Sequence, residues 1–327
     1  MPIPATPSAT PGPAAFPDVF AAVRALARGV NMGNALDAPN EGEWGVTIKE
    51  EYFERIKQAG FNAVRVPVRW STHALTEAPY TINAGFFTRL DQVIGWALDQ
   101  DLIVVLNIHH YEEMAVRPAD HEQRFLALWK QIAEHYKDYP ASLFFEPLNE
   151  PNGAMTASIW NRFVNEALAV IRNTNLERIV VIGGVNWNAY DQLQNLELPR
   201  NDHHIISTYH YYNPFQFTHQ GAEWVNGSGA WLGTAWDATD AQKAEITAQF
   251  DSVAFWAKTH NVPVYMGEFG AYSKADMASR ARWTSFVSRE AEAHGFAWAY
   301  WEFCSGFGVY DPASNVWRIA LLKALIP

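Results

Sequence analysis

A single (β/α)8 TIM barrel of the α/β class is what the sequence predicts, on three observations. Eight short β-rich runs alternate with longer segments of helical spacing. The runs are mostly continuous apolar stretches, as expected of parallel strands covered on both faces. No second composition regime and no linker interrupts the chain after residue 28, so the 327 residues read as one large domain, a size at which α/β barrels occur. The rival, an open doubly wound sheet, normally shows a glycine-rich phosphate loop after its first strand. Here that strand runs into RGVNMGNALDAP, which has neither GxGxxG nor GK[ST].

Taken in order, residues 1–17 hold six of the 18 prolines and no charged side chain. They lack the basic start and apolar stretch of a signal peptide and read as an extended linker or tether. The barrel is taken to begin at residue 28, with 1–27 as a Pro/Ala-rich tail. Strands are expected at 28–32, 61–68, 102–110, 143–150, 179–183, 205–212, 262–269 and 296–303. Helices are expected at 47–59, 83–99, 122–137, 157–173, 240–259 and 276–294, with Thr47, Asn83 and Asp240 as N-cap types and Gly60 and Gly295 as stops. Two connections break the rhythm, at 72–82 and 213–239. The second carries Phe215, Phe217, His219, Trp224, Trp231 and Trp236, and in a barrel it would overhang the active face.

Composition narrows the partners. Twenty-four Lys+Arg against 35 Asp+Glu leave a formal net charge of −11, which speaks against nucleic acid and anionic membrane surfaces. No span reaches the ~18 consecutive apolar residues of a membrane-crossing helix. The single Cys304 forms no intrachain disulfide, and no CxxC suggests a metal or redox site. Aromatic residues make up 14% of the chain, including 14 Trp. Most belong to a large core; the remainder could form flat platforms of the kind that C–H-rich sugar faces fit.

Polar residues gather at the carboxyl ends of the expected strands, where barrel enzymes place their sites. Arg65 ends strand two, Asn107, His109 and His110 strand three, Glu146, Asn149 and Glu150 strand four, His210 and Tyr212 strand six, Glu268 strand seven, and Trp301 with Glu302 strand eight. Closure of a barrel brings Glu150 and Glu268 to one opening. Two carboxyl groups facing across a glycosidic bond are the equipment of a glycosidase; the plain alternative for either alone is an ion pair with Arg65 or a histidine. His109-His110-Tyr-Glu112-Glu113 has the look of a metal cluster, but adjacent residues on a strand point to opposite faces, so both histidines meet one ion only if the strand has already ended. No metal and no cofactor are expected.

The segments RGVNMGNALDAP, FNAVRVPVRW, LNIHHYEE, FEPLNEP, YHYYNPFQFTHQGAEW, YMGEFGAY and WAYWEFCSGFGVYD resemble the motifs of the family 5 glycoside hydrolases, endo-β-1,4-glucanases (cellulases) with two catalytic glutamates on strands four and seven. The resemblance spans about residues 28 to 325. It implies Glu150 as general acid/base and Glu268 as nucleophile, with retention through a covalent glycosyl-enzyme. Retention needs carboxyl groups ~5–5.5 Å apart. On this reading Arg65 and Tyr212 hold Glu268 ionised, Asn149 donates to the sugar 2-hydroxyl, and His109 and His210 orient hydroxyls and carboxylates. Trp301 is the stacking floor with Glu302 near it, and Asn34, Asp37, His110, His219 and Trp224 bind substrate. The family resemblance also implies a cis peptide at Trp301–Glu302. The expected partner is a β-glucan polysaccharide or oligosaccharide. The motifs around NALDAP, NIHHYEE and THQGAEW resemble members that also accept mannan. The protein is expected to be a secreted monomer whose leader is absent from this chain. The rivals are a non-catalytic carbohydrate-binding barrel and a metal-dependent barrel hydrolase.

Overall fold

A computed structural model describes residues 16–327. Eight parallel strands, β1 (Arg28–Asn31), β2 (Ala63–Val66), β3 (Ile103–Asn107), β4 (Leu143–Glu146), β5 (Val180–Gly183), β6 (Ile205–Tyr211), β7 (Val264–Phe269) and β8 (Ala297–Tyr300), pair each with the next. β8 returns to β1, so the sheet closes as the sequence predicts. Around it lie the helices α1 (Val19–Leu26), α2 (Glu50–Gln58), α3 (Ala84–Leu98), α4 (Pro118–His135), α5 (Ala157–Arg172), α6 (Asp240–His260), α7 (Met277–Ala293) and α8 (Ile319–Leu325). Between β5 and β6 only a short turn and a 3-10 segment (Tyr190–Asn195) make the crossover. Among the described residues no helix is long and apolar enough to cross a membrane.

Strand alternation splits the apolar residues into two separate cores. Val64, Val66, Val104, Leu106, Phe145 and Ile182 point outward and pack under the helices. Ala63, Ile103, Val105, Phe144, Val181, Ile206 and Tyr265 point inward and fill the lower barrel.

The second core corrects the expected tail. Residues 1–15 lie outside the described residues, but 19–26 form α1, whose Val19, Ala22, Val23 and Leu26 close the bottom of the barrel against that inward core. Its apolar residues recur at i, i+3, i+4 and i+7, a helical stripe that the neighbouring Pro/Ala-rich composition obscured. Asp18 caps it, accepting from the Ala21 N–H at 2.7 Å.

Helix starts differ from expectation in detail. Asn83 caps α3 as expected, whereas α2 starts after Lys49 rather than Thr47. α6 is capped by Thr239, one residue earlier than expected, through a capping box with Gln242. α4 begins at Pro118, whose fixed φ suits a first helical position. Six strands stop short of their expected ends, β1, β2, β6 and β8 by one to three residues, β3 at Asn107 and β4 at Glu146. His109, His110, Asn149 and Glu150 therefore stand on loops above the barrel.

Candidate active site

The upper inward layer is polar where the lower one is apolar. Asn31, Arg65, Asn107, Glu146 and His210 continue the inward rows of their strands and are all buried. Glu268 would break this parity, because Tyr265 lies inside and strict alternation would turn residue 268 outward. The register of β7 shifts against β6 at Tyr209/His210 and against β8 between Met266 and Phe269, and this irregularity swings Glu268 into the mouth.

Arg65 is the hub. Its Nε and Nη2 donate to the Glu146 carboxylate at 2.7 and 2.8 Å. Nη1 donates to Asn31 Oδ1 at 2.9 Å and Glu268 Oε1 at 2.6 Å, and Nη2 also donates to Asn149 Oδ1 at 2.6 Å. All five guanidinium N–H donors are used, which a lysine could not match. The Asn149 carboxamide is thereby oriented with its N–H2 free. Tyr212 donates its hydroxyl to Glu268 Oε2 at 2.9 Å. Glu146 was not assigned a role from the sequence; the signal was an acid closing the apolar run Leu143–Glu146, in register with Phe144 on the inward face.

Glu150 sits in the left-handed region, φ 48°. His210 Nδ1 lies 2.7 Å from Glu150 Oε1 and 3.7 Å from Glu268 Oε2. One atom each from Glu150, His210 and Glu268 fall within 4.8 Å of one another. Burial pushes Glu150 up to about 7, with the Glu146 charge adding and Arg65 opposing. Glu268 is also raised by burial, against the pull of His210, Arg65 and the Arg65 hydrogen bond. Burial lowers His210 to about 4, leaving it neutral near neutral pH. The arrangement is one carboxyl that keeps its proton into the neutral range beside one held by a guanidinium and a phenol.

The other sequence candidates divide. Trp301 lies parallel to His109, rings 5.8 Å apart at 7°, and is joined to Glu302 by a cis peptide. A Cβ at Gly33 would overlap the Trp301 ring at 2.7 Å, so the first loop needs glycine there. His110 and Asn34 are half-buried at the mouth, both with positive φ. His219 is buried and stacked on Phe215 at 4.1 Å, and Trp224 beside it is 61% exposed.

Two expectations are corrected. Glu302 is fully buried, its carboxylate accepting the Ser305 and Phe307 N–H groups, so it anchors the last loop instead of meeting substrate. Asp37 is 1% exposed and accepts the Asn34 and Ala35 N–H groups, so it shapes the first loop from below. Both are acids satisfied by backbone donors, a demand that a linear motif does not display.

With β3 ended at Asn107, the side chains of Asp37, His109 and His110 do converge, one atom each within 4.8 Å. Asn107 decides what His109 offers. Its Oδ1 accepts the Val68 N–H at 3.2 Å, so its N–H2 faces His109 Nδ1, also at 3.2 Å. The remaining imidazole proton then sits on Nε2, which makes that atom a hydrogen-bond donor and not a metal ligand.

Beside Glu150 lies a cavity of about 270 Å³ lined by His110, Glu112, Asn149, Met155 and Trp187. Trp187 is 55% exposed, and Trp44, edge-on to His110 at 5.4 Å, is 39% exposed. The sequence reading singled out neither, because an exposed aromatic is indistinguishable from a core one until the fold is known.

A family model described as cellulase (glycosyl hydrolase family 5) matches residues 27–306. Endoglucanase H of Acetivibrio thermocellus is 38% identical over 314 residues, covering 94% of this chain and 33% of that protein. The chain thus spans about a third of the length of that curated relative. Thermotoga maritima Cel5A in complex with mannotriose superimposes with a TM-score of 0.93 at 53% identity, over 94% of this chain and 100% of that one. The structure of the same Cel5A in complex with cellobiose matches with the same score, identity and coverage.

Proposed function

The chain belongs to glycosyl hydrolase family 5, and from that membership we propose that it is a retaining, endo-acting β-1,4-glucanase of cellulose-type and mixed-linkage β-glucans. The observation that carries this reading is the 4.8 Å limit on the approach of Glu150 and Glu268. Retaining pairs stand ~5–5.5 Å apart, whereas inverting pairs need ~6.5–9.5 Å to admit a water.

In the first step the Glu268 carboxylate attacks the anomeric carbon, the glycosidic C–O bond breaks, and the Glu150 proton passes to the leaving oxygen. Glu150, now ionised, then takes a proton from water; the water oxygen bonds to the anomeric carbon and Glu268 leaves as carboxylate. Arg65 and Tyr212 keep Glu268 ionised and aimed. Asn149, its oxygen tied to Arg65, turns its N–H2 to the sugar 2-hydroxyl, where the bond strengthens in the oxocarbenium-like transition state. His109 offers its Nε2–H to the sugar, Trp301 is the stacking floor, and Asn34, His110, His219, Trp224 and Trp187 bind the flanking sugars. A carbohydrate-binding protein without catalysis needs no such divided pair of acids.

A second substrate, β-mannan, is favoured by the mannotriose complex of Thermotoga maritima Cel5A. Polymeric substrates cannot enter a cell, so this reading has the enzyme act outside it.

Proton NMR of cello-oligosaccharide hydrolysis tests the reading. The β-anomer should appear first and mutarotate later; first appearance of the α-anomer would overturn it. Initial rates on glucan and mannan polymers decide the second substrate, and absence of mannan hydrolysis removes it.

A further inference from the structure

Residues Val185–Asn188 make a turn that L-amino acids rarely adopt. Asn186, Trp187 and Asn188 have φ of 56°, 59° and 54°, three successive non-glycine residues in the left-handed region. Such a segment persists only where its surroundings hold it. Here both sides do. The Trp187 N–H donates to Pro151 O at 3.3 Å, next to Glu150, and Ala189 bridges in parallel to His210 on β6. The turn clasps the loop that carries Glu150 to the strand that carries His210.

Its last side chain is the informative one. Asn188 is 1% exposed, and its Nδ2 lies 3.4 Å from His210 Nε2. Glycines make room on both sides. A Cβ at Gly183 would meet Asn188 Oδ1 at 2.6 Å, and one at Gly267 would meet His210 Nε2 at 3.1 Å. Buried and neutral, His210 carries a single ring proton, and its position is set by what each nitrogen faces. Nε2 faces an amide N–H2. Nδ1 faces Glu150 and, farther off, Glu268, with Arg65 beyond.

We infer that Asn188 is a positioning residue for the acid/base. By donating to His210 Nε2 it keeps the imidazole proton on Nδ1, where it binds Glu150 Oε1 and leaves Oε2 to carry the transferable proton. The inference rests on Glu150 acting as the acid. A carboxyl protonated on the oxygen facing His210 could not deliver its proton to the leaving group without first rotating. Asn188 thus selects which Glu150 oxygen is the acid.

The test compares kcat/KM for two aryl β-cellobiosides. Dinitrophenyl leaves without protonation; phenyl needs the acid. Asn188→Asp keeps shape and left-handed tolerance but only accepts, moving the ring proton to Nε2. Asn188→Gly removes the side chain and keeps the backbone permissive. Gly183→Ala displaces the carboxamide from outside. Each should cost about tenfold or more on the phenyl substrate and less than about threefold on the dinitrophenyl one, a part of the ~10²–10⁴-fold that general acid catalysis supplies. Equal losses on both substrates, or none on either, would overturn the inference. Glu150→Ala is the control. It should show the same selectivity at greater depth, and an unselective loss there would fault the acid assignment itself. Selectivity in Glu150→Ala with none in the Asn188 variants faults the positioning role alone.

Discussion

The two ends of this barrel are built from the same strands and differ completely in chemistry. Ala63 and Arg65, Val105 and Asn107, and Phe144 and Glu146 are neighbours two residues apart, about 7 Å along a strand. The lower member of each pair belongs to an apolar plug closed by α1, and the upper to a hydrogen-bonded polar cluster around Arg65. The plug gains stability in proportion to the area it removes from water and tolerates exchange among apolar residues of similar volume. The cluster works only as a set, since each buried charge is costly once a partner is missing. The lower end thus serves stability alone, whereas the upper end carries the chemistry and adds to stability only as an intact set.

The largest expected effect would break this separation if it spread downward. Glu268→Ala should reduce kcat roughly 10⁴-fold or more while leaving oligosaccharide binding largely intact and lowering the melting temperature less than Glu146→Ala does, because Arg65 keeps both bonds to Glu146. Calorimetry and steady-state rates check both halves, and unchanged turnover would refute the nucleophile assignment. Glu146→Ala should instead damage both properties. Stranding two arms of Arg65 costs about 3–5 kcal/mol, read as a lowered denaturation midpoint, with a loss of kcat as Arg65 releases Glu268 and Asn149. Val23→Ala at the opposite end should cost about 2 kcal/mol and leave kcat/KM unaltered. A rate defect there would show that the plug and the mouth are coupled.

The smallest effects are those of pH, and the buried acids that carry most of them lie at the upper end. kcat/KM should decline as pH rises through about 7, where Glu150 loses its proton. Stability should decline over a similar window. Burial raises Asp37 to about 6, Glu150 to about 7 and Glu302 to about 8, so the folded chain holds these protons more tightly than the unfolded one. Their contribution is complete at low pH and lost as pH rises through those values. His110, His210 and His219, lowered to about 4, act in the opposite sense, but only below their ordinary 6.5. A melting temperature that falls from pH 6.5 to 8 is the expected outcome. Glu302→Gln should flatten that fall, and a profile that rises across it would reverse the sign assigned to the buried acids.

The parts of the site legible in the sequence were those that follow from strand periodicity. Arg65, His210 and Tyr212 stand out as polar residues closing apolar runs, and the barrel then converges them. Glu302 and Asp37 looked equivalent to them in one dimension, yet each is turned into its own loop by backbone donors. Glu146 was visible as an acid in an apolar strand, but its partner is 81 residues earlier, on another strand. Trp187 and Asn188 sit in a turn whose left-handed backbone has no glycine to announce it.

The alternation of strand-like and helical segments, with polar residues at the strand ends, by itself determined the eight-stranded barrel and the end that carries the chemistry, because both follow from the order of elements in the chain. Tertiary structure alone decided that residues 19–26 plug the barrel, that a register shift turns Glu268 inward, which acids are buried against backbone and which face the cleft, and that Asn188 meets His210. Those outcomes depend on contacts between segments distant in the chain, and such contacts exist only once the sheet has closed.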